Sequence, residues 1–374
     1  MVIIIKWLDS FFIVDGYIFL SYNANSNFVK KSRKKIFITG AAGFIGSNVL
    51  EYLFKKYKNY FLTVLDALTY AGNLKNFLPE MMNDKRFRFV YGDVTNSTMV
   101  DNLVSDADVV IHFAAETHVT RSIHDNRKFF ETDVLGTQSV ANAVYHHKKR
   151  VERFIHISTC EVYGKGLTRK MDESHPLNPH SPYAAAKAGA DRLVYSYHVT
   201  YGIPAIILRP FNVYGPRQHL EKAIPRFITS ALLGEPLTVH GSGKSKRDYM
   251  HVSDVARAIE LLIHAPLKKV KGEVFNIGSG KASSIHSIAK AVAKHMKLPV
   301  SQIIFVKDRP GQVSSFACDY SKIKKLLGWE PKKDLKIGLI ETIQWYRDNQ
   351  EVWNQQTWLR RVPIILPDGT IEYH

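Results

Sequence analysis

From Ile36 onward, short apolar runs alternate with longer amphipathic stretches. Ile36-Phe37-Ile38-Thr39 leads into a glycine, and residues 62–66, 87–91, 109–113, 154–158 and 205–208 repeat the pattern. Runs this short and this continuously apolar suit strands covered on both faces. Between them, residues 46–57, 132–146 and 183–201 carry helical periodicity. Strand alternating with helix predicts an α/β fold, a doubly wound parallel sheet with right-handed crossovers. After Asn212 the rhythm loosens, and Pro216, Pro225, Pro236, Gly241 and Gly243 interrupt it, which suits a smaller, less regular lobe. The expected organisation is a sheet domain over 35–211, a lobe over 212–350 with some return to the sheet near 251–280, and a tail over 351–374.

The first 34 residues stand apart. Residues 1–20 are rich in Ile, Phe and Val, yet Lys6, Asp9 and Asp15 break the run. That is short of the roughly 18 uncharged apolar residues of a membrane helix. A positive start and a small-residue cleavage site are missing too, so the segment reads poorly as a signal peptide. Residues 21–35 are polar and basic, and residues 1–34 are expected as an extension outside the fold, with no firm membrane association.

Composition narrows the classes. Hydrophobic residues at 45% and charged residues at 23% of 374 exclude disordered, collagen-like and coiled-coil chains. Cys160 and Cys318, the two cysteines, cannot build a disulfide framework, which points to a reducing cytoplasm. The net charge is +17, but the basic residues are scattered and no basic-aromatic motif accompanies them, so a diphosphate ligand fits better than nucleic acid. No metal site is expected.

The first strand runs into Gly40-Ala41-Ala42-Gly43-Phe44-Ile45-Gly46. Glycines spaced this way permit a tight turn, close approach of backbone to a pyrophosphate, and helix packing on strand. The helix start at Phe44 and Ile45 offers free N–H groups to phosphate oxygens. Asp66 ends the second strand, where a carboxylate accepts from ribose hydroxyls and repels a 2′-phosphate. Ala67, Leu68 and Thr69 follow it with no arginine, so NAD is favoured over NADP on a Rossmann sheet. Asp93, before Val94, is placed either to bond the adenine or to cap a helix.

Tyr183 and Lys187 stand at i and i+4 on one helix face. An adjacent ammonium is expected to lower the tyrosine pKa from about 10 toward neutrality, so that it takes a hydroxyl proton as a hydride leaves the same carbon. With Ser158-Thr159 ending a strand ahead of it, and with the stretches 65–74 (LDALTYAGNL), 112–123 (HFAAETHVTRSI), 157–164 (ISTCEVYG), 214–218 (YGPRQ), Glu221-Lys222 and 309–311 (RPG), the chain resembles the extended short-chain dehydrogenase/reductases. Within them it is most similar to the nucleotide-sugar 4,6-dehydratases, over about Lys35 to Asn349.

The resemblance implies a dehydration without net redox change. Tyr183 would take the sugar 4-hydroxyl proton as C4 is oxidised, and Glu161 would remove the C5 proton. A neighbouring acid would protonate the departing 6-oxygen, and the hydride would return to C6. Thr159 would bond the 4-oxygen, and Lys187 would hold the nicotinamide ribose. Phe113, Ala114, Ala115 and Thr132 are implied as further cofactor contacts. Thr117, Asn212, Lys222, Arg247, Asn276 and Arg309 are implied around the nucleotide sugar.

Three departures accompany the likeness. Cys160 stands where the dTDP-glucose enzymes carry aspartate, and is either the acid in a variant or a buried apolar residue. Asp133 replaces the usual asparagine, and Gln312 a histidine. Arg209-Pro210-Phe211-Asn212-Val213-Tyr214-Gly215 also resembles sugar-nucleotide 4-epimerases and UDP-glucuronate decarboxylases, which remain alternatives, as does an inactive NAD-binding regulator. The helices over 132–146 and 183–201, with Leu193, Val194 and Val199, are expected to pair two subunits in a homodimer.

Overall fold

The computed structural model describes residues 11–14, 17–20, 33–307, 317–365 and 370–373. It divides into two units, Met1–Arg33 and Lys34–His374. In the first, Phe11–Val14 and Tyr17–Leu20 pair antiparallel; most of the expected extension lies outside the described residues. Its boundary falls one residue earlier than expected, because Lys34 already pairs with Tyr60 in the main sheet.

The second unit is built on seven parallel strands: β1 (Lys34–Thr39), β2 (Tyr60–Asp66), β3 (Phe87–Tyr91), β4 (Val109–His112), β5 (Arg153–Ile157), β6 (Ala205–Pro210) and β7 (Val274–Ile277). Their spatial order is β7-β6-β5-β4-β1-β2-β3. The order reverses between β1 and β4, so the crevice beyond their carboxyl ends is where a ligand belongs. The doubly wound sheet predicted from the alternation is therefore the fold.

Strand periodicity assigns the two faces. Ile36, Ile38, Leu62, Val64, Val109, Ile111, Ile155 and Leu208 are buried with helices α1 (Phe44–Lys56) and Val252–His264. Phe37, Leu65, Val110, Phe154 and Ile207 point the other way, against Ser97–Val104, α2 (Thr137–His146) and α3 (Pro182–Tyr201). Successive strand residues alternate faces, and each such fully buried Val, Leu, Ile or Phe stabilises by about 1.5–3 kcal/mol. The predicted helix over 132–146 begins differently: Phe130–Gly136 winds as a wider π-helical stretch before α2. In it Asp133 points inward and accepts from the Glu116 backbone N–H at 2.8 Å.

Beyond Asn212 a second core forms from the helices Ala223–Leu232, Ile285–His295 and Leu335–Asp348, with Leu237–His240 paired to Ile303–Val306. The chain returns to the sheet within this stretch, where Val252–His264 packs on α1 and β7 extends the edge beside β6.

Candidate active site

One cleft lies over the carboxyl ends of β1, β2, β4 and β5. It is lined by the glycine loop, Asp66, Thr69, Asp93, Val94, the stretch 113–117, Thr132, Ser158–Glu161, Tyr183, Lys187, Asn212 and Lys222. Glu116, Val119, Pro210, Phe211, Gln218 and His219 also line it without having been singled out as ligands. Their only sequence signal was membership in the quoted stretches or proximity to Asn212.

The glycine loop is cut to admit backbone-scale approach. Gly40 has φ +70°, and a Cβ there would stand 2.5 Å from the Ala114 nitrogen. A Cβ on Gly46 would come within 2.6 Å of the Gly40 carbonyl oxygen. Gly43 starts α1 with no side-chain cap, which leaves the first N–H groups of the helix for a ligand. Asp66 is buried at the rim; Oδ2 accepts from Ala42 N at 2.8 Å and Oδ1 from Leu68 N at 2.9 Å. Burial pushes its carboxyl up, against those two backbone bonds. The loop and a carboxylate with spare lone pairs fit the pyrophosphate and ribose of NAD. Leu68, expected as a contact, does not line the cleft; it takes φ +48° to make the turn and packs on the core instead. Asp93 does not cap the helix that follows it, because Asn96 does, accepting from Met99 N at 3.0 Å.

Beneath the opposite wall, α3 carries Tyr183 and Lys187 inward, 8% and 3% exposed. The helix starts where Ser181 accepts from Ala184 N and a proline fills the first turn. Lys187 does not donate to the tyrosine: its Nζ donates to the Ile157 carbonyl at 2.8 Å. Burial pushes the Tyr183 phenol well up, the Asp133 charge adds to that, and hydrogen bonding with Thr159 acts in the opposite direction. The expected drop toward neutrality is thus absent from the protein alone. Burial also pulls the Lys187 ammonium down, while Asp133 and Asp191 work to restore it.

At the end of β5, Thr159 accepts from Glu161 N at 3.2 Å and starts a short turn, Cys160–Tyr163. Glu161 is half-buried on the cleft wall. Cys160 is 2% exposed and sits among Val162, Tyr163, Met171, Phe211 and Cys318. Burial pushes its thiol well up, with the Glu161 charge acting the same way. Its apolar neighbours fit the packing alternative, while its place on the cleft lining leaves it beside Glu161.

The expected sugar-nucleotide ligands separate. Thr117, Asn212 and Lys222 line the cleft; Lys222 Nζ donates to the Thr117 carbonyl at 3.0 Å, and Asn212 Oδ1 is buried with no hydrogen bond among the described residues. Asn276 does not reach it. It is fully buried in β7, accepting from Tyr163 Oη at 2.7 Å and donating to the Met171 carbonyl at 3.1 Å. Arg247 is half-buried in the strand Lys246–His251, and its charge bears on Cys160. Arg309 and Gln312 lie outside the described residues.

A family model described as GDP-mannose 4,6 dehydratase matches residues 37–342. The chain belongs to this family. A dTDP-glucose 4,6-dehydratase of Actinoplanes sp. is 42% identical over 324 residues, covering 85% of this chain and 99% of the relative. The low-salt glycan biosynthesis protein Agl12 of Haloferax volcanii is also 42% identical, over 84% and 99% of the two chains. The dTDP-glucose 4,6-dehydratase of Streptomyces venezuelae, solved with NAD bound, superposes with a TM-score of 0.81 at 37% identity, over 86% and 99%. A UDP-glucuronic acid 4-epimerase of Bacillus cereus superposes nearly as well, at 0.78 with 33% identity, over 84% and 99%. Backbone shape therefore does not separate the activities within the family; side chains in the cleft must. The sequence-based expectation of an NAD-dependent lyase of the 4,6-dehydratase type holds. Among the described residues, no helix is long and apolar enough to cross a membrane.

Proposed function

We propose that this dehydratase converts an NDP-hexose, carried by dTDP or UDP, to the NDP-4-keto-6-deoxyhexose, and works as a cytoplasmic homodimer. Glu161 carries this reading. A base on the cleft wall beside Thr159, close enough for its charge to bear on Tyr183, suits removal of a C5 proton, which 4-epimerisation does not require. NAD, when bound, supplies reversible hydride acceptance. The glycine loop and Asp66 hold it at the adenosine end, and Lys187 lies under the nicotinamide end.

Tyr183 takes the 4-hydroxyl proton, and Thr159 donates to the 4-oxygen as it becomes a ketone. The ketone acidifies C5–H, and Glu161 takes that proton. The protonated Glu161 then gives a proton to the 6-oxygen as water departs. The hydride taken from C4 would be returned at C6, and solvent, through Glu161, supplies the proton finally placed at C5. Lys222 and Asn212 bind the nucleotide sugar from the second lobe's side and Thr117 from the loop after β4, with Arg247 and Arg309 on the diphosphate. Incubation with dTDP-glucose, UDP-glucose and GDP-mannose, read by mass spectrometry, should show loss of water from one of them. NAD, not NADP, should be released on denaturation. A product of unchanged mass would favour the 4-epimerase.

A further inference from the structure

Asp133 is an ionisable group buried behind the Tyr183–Lys187 pair, and nothing in the proton steps above uses it. It is 0% exposed. Oδ1 accepts from the Glu116 backbone N–H at 2.8 Å, while Oδ2 is buried and has no hydrogen-bond partner among the described residues. Its backbone carbonyl accepts from Thr137 Oγ1, whose oxygen meets His112 Nε2 at 3.0 Å, and His112 Nδ1 meets Thr39 Oγ1 at 2.6 Å. The backbone at Asp133 is thus tied by a chain of bonds running to β1, and the carboxyl by the Glu116 N–H, within a π-helical stretch that packs on α3.

The charged and titratable groups around it come from every neighbouring element. From α3 there are Lys187 and Tyr183. From the loop after β4 there is Glu116, with Lys128 lying 3.7 Å from its carboxylate. From β4 there is His112, which burial pushes down to about 3 and so keeps neutral. Cys160 and Glu161 face Tyr183 from beyond β5. On its own stretch, Glu131 pairs outward with Arg127. Burial, opposed chiefly by Lys187 and by the Glu116 N–H, pushes the Asp133 carboxyl up to about 7.

We propose that Asp133, whose buried carboxyl keeps one oxygen unpartnered beside the helix of Tyr183 and Lys187, is a positioning residue that takes up and releases a proton and thereby sets where those two groups ionise. The proposal rests on the dehydratase reading for its kinetic consequence, but not for the titration itself. The signs follow from Coulomb's law. Below the transition Asp133 is neutral; its hydroxyl leaves the Glu116 bond intact and adds no charge. Above it the carboxylate opposes a phenolate on Tyr183 and favours an ammonium on Lys187. Both effects hold the useful ionisations at higher pH than a neutral side chain would. An asparagine of the same shape keeps the Glu116 bond and removes the charge. Asp133→Asn should therefore shift both limbs of the pH profile of kcat/KM to lower pH, by about one unit, the scale of a single neighbouring charge.

Infrared difference spectra of the NAD-loaded protein between about pH 6 and about pH 8 test the titration directly. They should show a protonated carboxyl band that vanishes with rising pH in the unmodified protein and is missing from Asp133→Asn. Asp133→Ser, which retains a small acceptor for the Glu116 N–H, serves as the second variant and should lose the same band. A band that persists in both variants, or no titrating band at all, overturns the proposal. So does a pH profile that Asp133→Asn leaves in place or moves upward. If no NDP-hexose is dehydrated, the dehydratase reading fails while the infrared result still decides the ionisation of Asp133.

Discussion

Cys160 and Glu161 are neighbours in sequence and opposites in the fold. Both line the cleft after the turn that starts at Thr159, but the cysteine is packed into an apolar cluster behind the wall whereas the glutamate is only half-buried. Glu161→Gln removes the only group assigned to C5, so water loss should fall by about 10² to 10⁴, the usual range for a positioned acid–base group. Exchange of solvent deuterium into C5 should stop, while C4 oxidation persists as a bound-NADH absorbance. Cys160→Ser, by contrast, should dehydrate at close to the unmodified rate. A fall as deep as that of Glu161→Gln would restore Cys160 as the acid. The pair also shows where sequence reading stops. The residue types in 159–161 named the chemistry, but how deeply each side chain is buried depends on a turn and on Met171, Phe211 and Cys318, brought in from far along the chain. The same holds for Tyr183: its spacing from Lys187 was legible, whereas the desolvation that raises it is a property of packing.

Among the elements, β5, β6 and α3 are locked by a polar network that no local pattern announced. Arg209 in β6 donates to Asp191 of α3 through Nε at 2.8 Å and Nη2 at 2.9 Å. Ser158 at the end of β5 donates to the same carboxylate at 2.7 Å. Burial works against the Asp191 charge, but the guanidiniums of Arg209 and Arg192 hold its carboxyl below the usual range. Arg209 Nη1 reaches Tyr163 Oη at 2.9 Å, and Tyr163 in turn donates to Asn276, which explains why that asparagine is spent on structure. In a linear reading, Arg209 is one charge at the end of an apolar run and Asp191 one charge on a helix. Only the parallel register of β5 with β6 and the position of α3 unite them. Both are 2% exposed or less, so removing Arg209 leaves the buried Asp191 carboxylate to Arg192 and Ser158 alone, at about 3 kcal/mol, the lower end for a broken buried pair and above the value of a surface pair. Chemical denaturation of Arg209→Met should show a loss of that size, and Arg209→Met with Asp191→Leu should recover much of it. Equal loss in the single and double variants would mean that the pair carries no stranded-charge penalty.

For the whole molecule, the doubly wound parallel sheet was readable from the alternation of runs, because a buried parallel strand needs a continuous apolar run and a crossover helix after it, whereas the strand order and the cleft at its reversal came only with the fold. The face proposed to join two copies was readable only in part. The expected dimer face included Val194, which is fully buried within its own subunit, and Leu193, which is half-buried. What remains outside keeps only Val199 of the three expected residues and adds others. Tyr195 and Val199 lie one turn apart on α3, 42% and 64% exposed, and Tyr145 of α2 packs its ring 4.8 Å from the exposed Tyr201. Leu135 adds a further apolar side chain, 52% exposed, on the stretch that leads into α2. Covering each fully would release about 1.5–3 kcal/mol, before the cost of association. A two-fold pairing of α2 and α3 with their copies hides the same patch on both subunits at once. Light scattering at micromolar concentration should therefore give twice 42.6 kDa. Val199→Lys, which places a charge in the middle of that face and touches neither cleft nor core, should shift the protein toward the monomer while leaving its NAD content unchanged. A monomer mass for the unmodified chain, or a Val199→Lys dimer as tight as the original, would place the subunit contact elsewhere or abolish it.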